Sequence, residues 1–393
     1  MHKNLTIGYI LSFLDDFYLP IAVWLLFFLQ YLDFTQVAVL GALTVVSSNL
    51  FEIPTGAVSD LIGRKWTLFL SYVFSALGLL VISSGTGFVL FALGRVIHGL
   101  GKSLFSGTHE SLLYDTLKSS GKESQFDTVI SKSEMYSWFG LFLAAVSGGL
   151  LYDRWSQGPF IVTAVIYIFA AAVCLWIDEP KIDSEKFSWR TYTKQNLRGF
   201  TELFKDARTT QFTLLMITVT AGYVVAARIL GISQAEQYGL SGTGIGILFG
   251  FGYIIAAGAS HFYPRLRKLF GNTKLLIAAT AALLASFIFA PFVGVVMGSF
   301  LITLRISSST TFGNAKSVIM NRLIASKNRA TALSTLRLLA EIPFTLSFYF
   351  IGRYIDTYSP NTFALLLGGI MVVLLLPQLY GLRKNLSLAF SNK

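Results

Sequence analysis

The sequence predicts an all-α integral membrane protein of twelve transmembrane helices, arranged as two six-helix halves with both termini in the cytoplasm. Three observations carry the prediction. Of the 393 residues, 54% are hydrophobic and only 13% are charged, about half the charged share of an ordinary soluble domain. Apolar runs of roughly 20 residues, the length that crosses a hydrocarbon core, recur from end to end. Lys and Arg concentrate in alternate connecting segments, the pattern expected of cytoplasmic loops.

The runs follow in order. Residues 5–32 lack a basic start and a small-residue cleavage site and are too long for the apolar region of a signal peptide, so they read as the first span. Polar or Gly/Pro breaks then separate spans at 36–60, 66–84, 88–115, 126–151 and 159–177, which complete a first half over residues 1–177. Residues 178–210 are the one long polar stretch and read as a cytoplasmic linker. Within it Phe187, Trp189, Leu197, Phe200, Leu203 and Phe204 alternate with Arg190, Lys194, Arg198 and Lys205, the pattern of a short amphipathic helix on a membrane surface or of a solvated connector. Spans at 211–235, 243–264, 274–291, 294–320, 331–355 and 362–382 make the second half, residues 211–393.

With the N-terminus inside, the inner segments hold Lys3, Arg64, Lys65, Lys118, Lys122, Lys132, the linker bases, Arg265, Arg267, Lys268, Lys274, Arg322, Lys327, Arg329, Arg383, Lys384 and Lys393, while Arg154 and Arg353 fall outside. The net charge of +11 is thereby a topology signal, and nucleic acid is not expected as a partner. Cys174 is the single cysteine, so an intrachain disulfide is excluded.

The halves show weak self-similarity. GTHESLLYDTL from Gly107 aligns with GNAKSVIMNRL from Gly313, an offset of 313 − 107 = 206, and a shift of 208 sets Gly63 against Gly271. Two such halves, related by an axis along the membrane normal, place a binding site at their interface near the bilayer midplane.

The stretch GAVSDLIGRK, residues 56–65, follows the second span. It resembles the G-x-x-x-D-[RK]-x-G-R-[RK] loop of the major facilitator superfamily of secondary transporters: Gly56, Asp60, Gly63, Arg64 and Lys65 fit, and Leu61 stands where a base is usual. RVIHGLG from Arg95 resembles the R-x-x-Q-G-x-G pattern of the drug/proton antiporter branch, with His98 for Gln. GLFLAAVSGG, Gly140 to Gly149, keeps the spacing of that branch's G-x-x-x-G-P-x-x-G-G, with Ala144 and Ala145 for Gly-Pro. The resemblance implies the twelve-helix fold, alternating access and a conformational gate at Gly56, Asp60, Gly63, Arg64 and Lys65.

Ionisable groups at membrane depth are costly, so each is a functional candidate. The first half offers Asp15, Asp16, Glu52, Arg95, Lys102, Glu110 and Glu134, and the second offers Arg228, Arg305, Lys316, Arg337 and Glu341. At 100° per residue Arg95, His98, Lys102, His109 and Glu110 form a single polar stripe on the fourth span, with Arg305, Ser308, Ser309, Phe312 and Lys316 its counterpart in the tenth. Arg337 and Glu341, one turn apart, can pair locally. Among the acids, Asp16 or Asp15, then Glu134, then Glu52 are the candidates for proton exchange, because a carboxyl between burial and a basic neighbour can hold either protonation state.

No phosphate-binding loop, nucleophile elbow, zinc-binding helix or paired Cys motif occurs, so neither an enzyme nor a cofactor or metal site is expected. The expected function is proton-coupled export of a small amphiphilic or drug-like solute by a monomer in a bacterial inner (cytoplasmic) membrane. The alternatives are proton-coupled uptake of an organic anion held by Arg228, Arg305 and Arg337, and a transport-inactive sensor or scaffold on the same fold.

Overall fold

The computed structural model describes residues 2–180, 197–325 and 329–390. Within its helices the side chains at 2, 49, 52–58, 60, 330 and 381–390 lie outside the description. Glu52, Gly56, Asp60 and the linker positions Phe187, Trp189, Arg190 and Lys194 therefore fall outside the described residues. All the regular structure described is helical. Eight helices are long and apolar enough to cross a membrane, with shorter apolar stretches at Phe34–Ser48 and Gly158–Cys174. Many apolar side chains point outward, among them Val89, Phe350, Leu376 and Tyr380, which suits a surface solvated by lipid.

In the first half the elements are α1 (His2–Asp16), α2 (Trp24–Leu29), α3 (Phe34–Ile62), α4 (Arg64–Ser84), α5 (Phe88–Phe105), α6 (Thr108–Lys118), α7 (Phe126–Arg154) and α8 (Gly158–Cys174). Then come α9 (Ala207–Val225), α10 (Gly231–Gln237), α11 (Gly242–Ile288), α12 (Val295–Leu323), α13 (Arg329–Thr357) and α14 (Pro360–Phe390). Of the linker, residues 197–203 are helical: Leu203 is fully buried, its carbonyl accepting from Thr213, and Lys205 donates to Glu202 and to the Leu323 carbonyl.

Three spans expected as continuous helices are broken. The first bends after Asp16 into a 3-10 turn, Leu19–Ala22, because Pro20 sits at its start. The seventh passes through a π-turn, Ala226–Leu230, that carries Arg228. The fourth breaks at Gly107, whose φ of +73 ends α5 and restarts the chain as α6. Adding 100° per residue across that break is invalid, so the stripe expected from Arg95 to Glu110 is two separate faces. Gly313, the repeat partner of Gly107, lies inside the unbroken α12. The repeat is kept elsewhere: Gly63 (φ +91, ψ 164) and Gly271 (φ +79, ψ 157) share one left-handed conformation, each starting a new helix. The eighth span runs through Pro264 as far as that glycine.

The chain divides into two compact units. One comprises residues 1–186 with 240–254, the other 187–239 with 255–393. In the first, α4 packs on α5 and α8, α3 on α5, and α1 on α7. Its core is aromatic: Phe27 lies 4.6 Å from Phe160 and Phe28 lies 4.8 Å from Phe91, ring centre to ring centre, all four fully buried. Such rings bury large apolar areas and pack edge-on or offset, which accounts for part of the Phe enrichment. In the second, α9 packs on α13 and α14, and α10 on α12.

Candidate functional site

In the first unit the candidate acids divide into a neutralised pair and an open group. Lys102 Nζ lies 2.7 Å from Asp15 Oδ2, with the two side chains 36% and 11% exposed. The backbone around them is held as well: Tyr167 donates to the Asp15 carbonyl at 2.8 Å, and Tyr72 to the Leu11 carbonyl at 3.1 Å. Removing the lysine leaves a carboxylate enclosed in apolar surroundings. Lys102→Met is therefore expected to lower unfolding stability in detergent by about 2–3 kcal/mol, below the ~3–5 of a fully buried pair because Lys102 is partly exposed. Asp15→Asn with Lys102→Met should recover most of that loss, and a single variant as stable as the parent would show the pair to be idle.

Asp16 lies beyond this pair. It shares a cavity of about 220 Å³ with Glu110, Glu134 and His109. Serine hydroxyls line it: Ser12 touches His109 Nε2 at 3.1 Å and the Ser133 hydroxyl, and Ser137 also faces the space. His109 Nε2 lies 2.9 Å from the Gly8 carbonyl as well, so its ring is held between backbone and hydroxyl. The structure thus brings together Asp16, Glu110 and Glu134 from α1, α6 and α7.

A second cavity, about 560 Å³, lies on the same two long helices. Tyr9, Phe13, Tyr136 and Phe139 line it together with Lys132, whose ammonium sits 4.9 Å from the Tyr9 ring centre. The Tyr9 and Tyr136 rings stack at 5.6 Å. Its size and its lining, aromatic with one charge, are those of a small-molecule site. Phe13 lies one turn before Asp16, and Tyr136 two residues beyond Glu134, so α1 and α7 line both spaces.

The other first-half candidates are placed differently. Arg95 stacks over Trp24 at 4.7 Å and Phe28 at 5.1 Å, on the edge of the aromatic core. His98 is buried between Tyr18 and Tyr167, with Nδ1 3.3 Å from the Ser75 carbonyl. In the gate stretch, Arg64 Nε meets Asp115 at 3.1 Å and its Nη1 donates to Ser59 at 2.6 Å. Glu179 receives the backbone N–H groups of Arg64 (2.6 Å) and Lys65 (3.0 Å) and so caps the start of α4 from the end of the first half. A Cβ on Gly63 would meet that carboxylate at 2.7 Å. Next to it Asp178 accepts from Lys3 at 2.7 Å, which holds its carboxyl below the usual range, and exchanges two hydrogen bonds with Asn4.

The stretch GLFLAAVSGG lies on α7 as a surface without bulk. Gly140 approaches the Phe13 carbonyl, Gly148 the Leu19 carbonyl, and Gly149 the backbone of Gly242 and Gly246. Ala144 and Ala145 are fully buried. Asp153, one turn on, accepts from the N–H groups of Gly242 (2.9 Å) and Thr243 (2.7 Å) and caps the start of α11.

In the second unit Arg305 is 3% exposed. Its Nη1 donates to Gln234 at 2.9 Å, Gln234 donates to Asn361 at 3.1 Å, and the Asn361 N–H donates to Gln237 at 3.0 Å. The guanidinium also faces the Phe287 ring at 5.4 Å, and its Nη2 is buried with no hydrogen-bond partner among the described residues. Glu341 meets Arg228 at 3.9 Å, across two helices rather than within one turn, while Arg337 is exposed. Lys316 reaches Thr220 at 3.4 Å, and Ser308 accepts from Tyr223 at 3.0 Å. Sequence reasoning sets Asp115 aside as too near the inner surface to touch substrate, and it passes over Glu179, Gln234 and Asn361. Gln234, an amide amid LGISQA, carried a readable signal, while the other three are ordinary polar residues until the fold brings their partners.

Residues 5–344 match the Major Facilitator Superfamily. An uncharacterized MFS-type transporter, YxaM of Bacillus subtilis (strain 168), is 25% identical over 240 residues, 60% of this chain and 58% of that protein. The alignment therefore spans under two thirds of that relative's length. A sugar transporter, ERD6-like 8 of Arabidopsis thaliana, is 39% identical over 70 residues, 18% of this chain and 15% of its own. Among solved structures, the nucleoside transporter NupG superposes with a TM-score of 0.79 at 15% identity, covering 96% of this chain and 98% of its own. A POT family transporter in complex with a thioalcohol-conjugated peptide gives 0.74 at 14%, covering 97% and 96%. These relatives are transporters and not enzymes, and with the match over most of its length this chain belongs to the major facilitator superfamily, as a multi-pass membrane protein.

Proposed function

We propose that the chain is a proton-coupled secondary transporter that exports a small amphiphilic or drug-like solute by alternating access. The observation that carries the reading is that α1 and α7 line both an acid cavity, with Asp16, Glu110 and Glu134, and an aromatic one, with Tyr9, Phe13, Tyr136 and Phe139. A proton gained or lost in the first changes the charge beside the helices that shape the second. Asp15, already paired with Lys102, is a positioning residue, and Asp16 is the acid free to exchange. The pattern at Arg95–Gly101 favours the drug/proton antiporter branch, whereas Ala144 and Ala145, standing for Gly-Pro in the Gly140–Gly149 stretch, count against it. Twelve spans in two bundles, 1–177 and 211–393, joined by a cytoplasmic linker at 178–210, complete the reading, with a monomer in a bacterial inner membrane. Gly56, Asp60, Gly63, Arg64 and Lys65 form its gate, in which the Arg64–Asp115 contact breaks and re-forms.

Arg305 favours a second reading, uptake of an organic anion, because a buried guanidinium with an unused donor and no carboxylate partner among the described residues is suited to a ligand's negative charge. The same experiment decides both: counterflow in proteoliposomes with an imposed pH gradient, screening cationic, neutral and anionic amphiphiles. Gradient-dependent movement of cationic or neutral compounds is the expected result. Flux of anions alone would favour the second reading. No gradient-dependent flux of any compound would sink proton coupling and leave a sensor or scaffold on this fold.

A further inference from the structure

The second unit holds a narrow apolar groove, about 130 Å³, among α9, the later part of α11, α12 and α14. Its floor is Phe212, Leu215, Leu276 and Leu375, all buried. Its rim is Ile277, 49% exposed, and Leu379, 40% exposed, so it opens to the lipid-facing surface of the unit. On α11 the lining runs from Thr273 to Leu284, roughly 16 Å at 1.5 Å per residue, about half of a ~30 Å hydrocarbon core. The groove is thus as deep as one leaflet.

Two bases lie within one helical turn of its lining residues. Arg208 lies one turn before Phe212 on α9, and Lys274 lies beside Thr273 and one turn before Ile277 on α11. Neither has an ion-pair partner among the described residues, and the Arg208 Nε has no hydrogen-bond partner there. The nearest acid in sequence, Asp206, is occupied in capping α9, accepting from the Thr209 N–H at 2.8 Å and its hydroxyl at 2.9 Å. An apolar channel of leaflet depth, open to lipid and flanked by uncommitted positive charge, has the chemistry of a phospholipid with an anionic headgroup.

We propose that this groove holds one acyl chain of an anionic phospholipid, with the phosphate against Arg208 and Lys274. The site shares no lining residue with the acid and aromatic cavities on α1 and α7 and does not depend on the direction or substrate of transport. The test is native mass spectrometry of the full chain after delipidation, offered dioleoyl phosphatidylglycerol or dioleoyl phosphatidylcholine, which share their chains. Retention of the glycerol lipid should exceed that of the choline lipid by roughly tenfold, since each base near the surface adds to anionic binding. In Arg208→Gln/Lys274→Gln the two lipids should bind alike. Thr280→Trp, which fills the groove and leaves both bases, should lose the bound lipid. If that variant does not fold, dihexanoyl phosphatidylglycerol, with the same headgroup and short chains, takes its place and should not be retained. Equal retention of both lipids by the parent, or a preference that survives loss of both bases, would overturn the proposal. So would retention of the short-chain lipid, or displacement of the long one by inorganic phosphate.

Discussion

Asp16→Asn is expected to abolish solute movement driven by a pH gradient in proteoliposomes, reducing it to the protein-free background, while counterflow exchange of the same solute continues. The substitution keeps the shape and the capacity to hydrogen-bond and removes only the exchangeable proton, so loss of coupling with retained exchange isolates the chemistry from the fold. Asp16 ends α1, just before the chain leaves helical geometry for the Leu19–Ala22 turn, and discontinuous helices are where transporter ion sites are built. It lines the cavity with Glu110 and Glu134, whereas its neighbour Asp15 is paired with Lys102. Asp15→Asn is therefore expected to impair folding stability more than coupling, the reverse of Asp16→Asn. Glu134→Gln, from the opposite wall, should slow gradient-driven flux without abolishing it. If Asp16→Asn couples as well as the parent while Glu134→Gln or Glu110→Gln loses coupling, the proton passes through α6 or α7 and the role given to α1 is wrong.

The readable and unreadable parts of this site separate along a physical line. Apolar length and the placement of bases express the cost of moving groups between water and lipid, a cost each residue bears by itself, so a single sequence displays it. The membrane class followed from that. Partnership depends on what lies opposite. Lys102 stands 87 positions from Asp15, and Glu179 reaches a helix start 115 positions away, and no local pattern announces either. Helix breaks fall between these extremes. Pro20 marks its break openly, whereas Gly107 and Gly313 look alike in aligned segments, yet one ends a helix and the other lies inside one. Gly63 and Gly271 show the opposite outcome: the flanking residues have diverged while the conformation persists. A left-handed residue tolerates little but glycine, so backbone need there outlasts side-chain change.

Gly148→Val is expected to cost about 3 kcal/mol or more of stability, at the upper end of overpacking effects, and to reduce gradient-driven transport along with it. A Cβ at this position would enter the carbonyl oxygen of Leu19, closer than real Cβ contacts come. The obstacle is backbone, so no truncation of Leu19 relieves it. The turn also has little freedom to retreat, because the Leu19 N–H donates to Thr163 at 3.1 Å and Leu19, Pro20 and Ala22 are buried. Only a shift of α7 away from the first span would make room. That shift would move Glu134, Ser133 and Ser137 on α7 relative to Asp16, three residues before the turn, and would open the acid cavity they line. Gly369→Ala supplies the contrast. Gly369 also lies inside a helix, but nothing stands within 4 Å of the added carbon, so gain of helix propensity should leave that variant as stable as the parent or slightly more so. Thermal unfolding of both variants in one detergent, with proton-coupled flux measured on the fraction that remains folded, tests the argument. A Gly148→Val protein that melts with the parent and transports normally would mean that α7 and the first span are not packed backbone to backbone, and the shared lining of the two cavities by α1 and α7 would lose its structural basis.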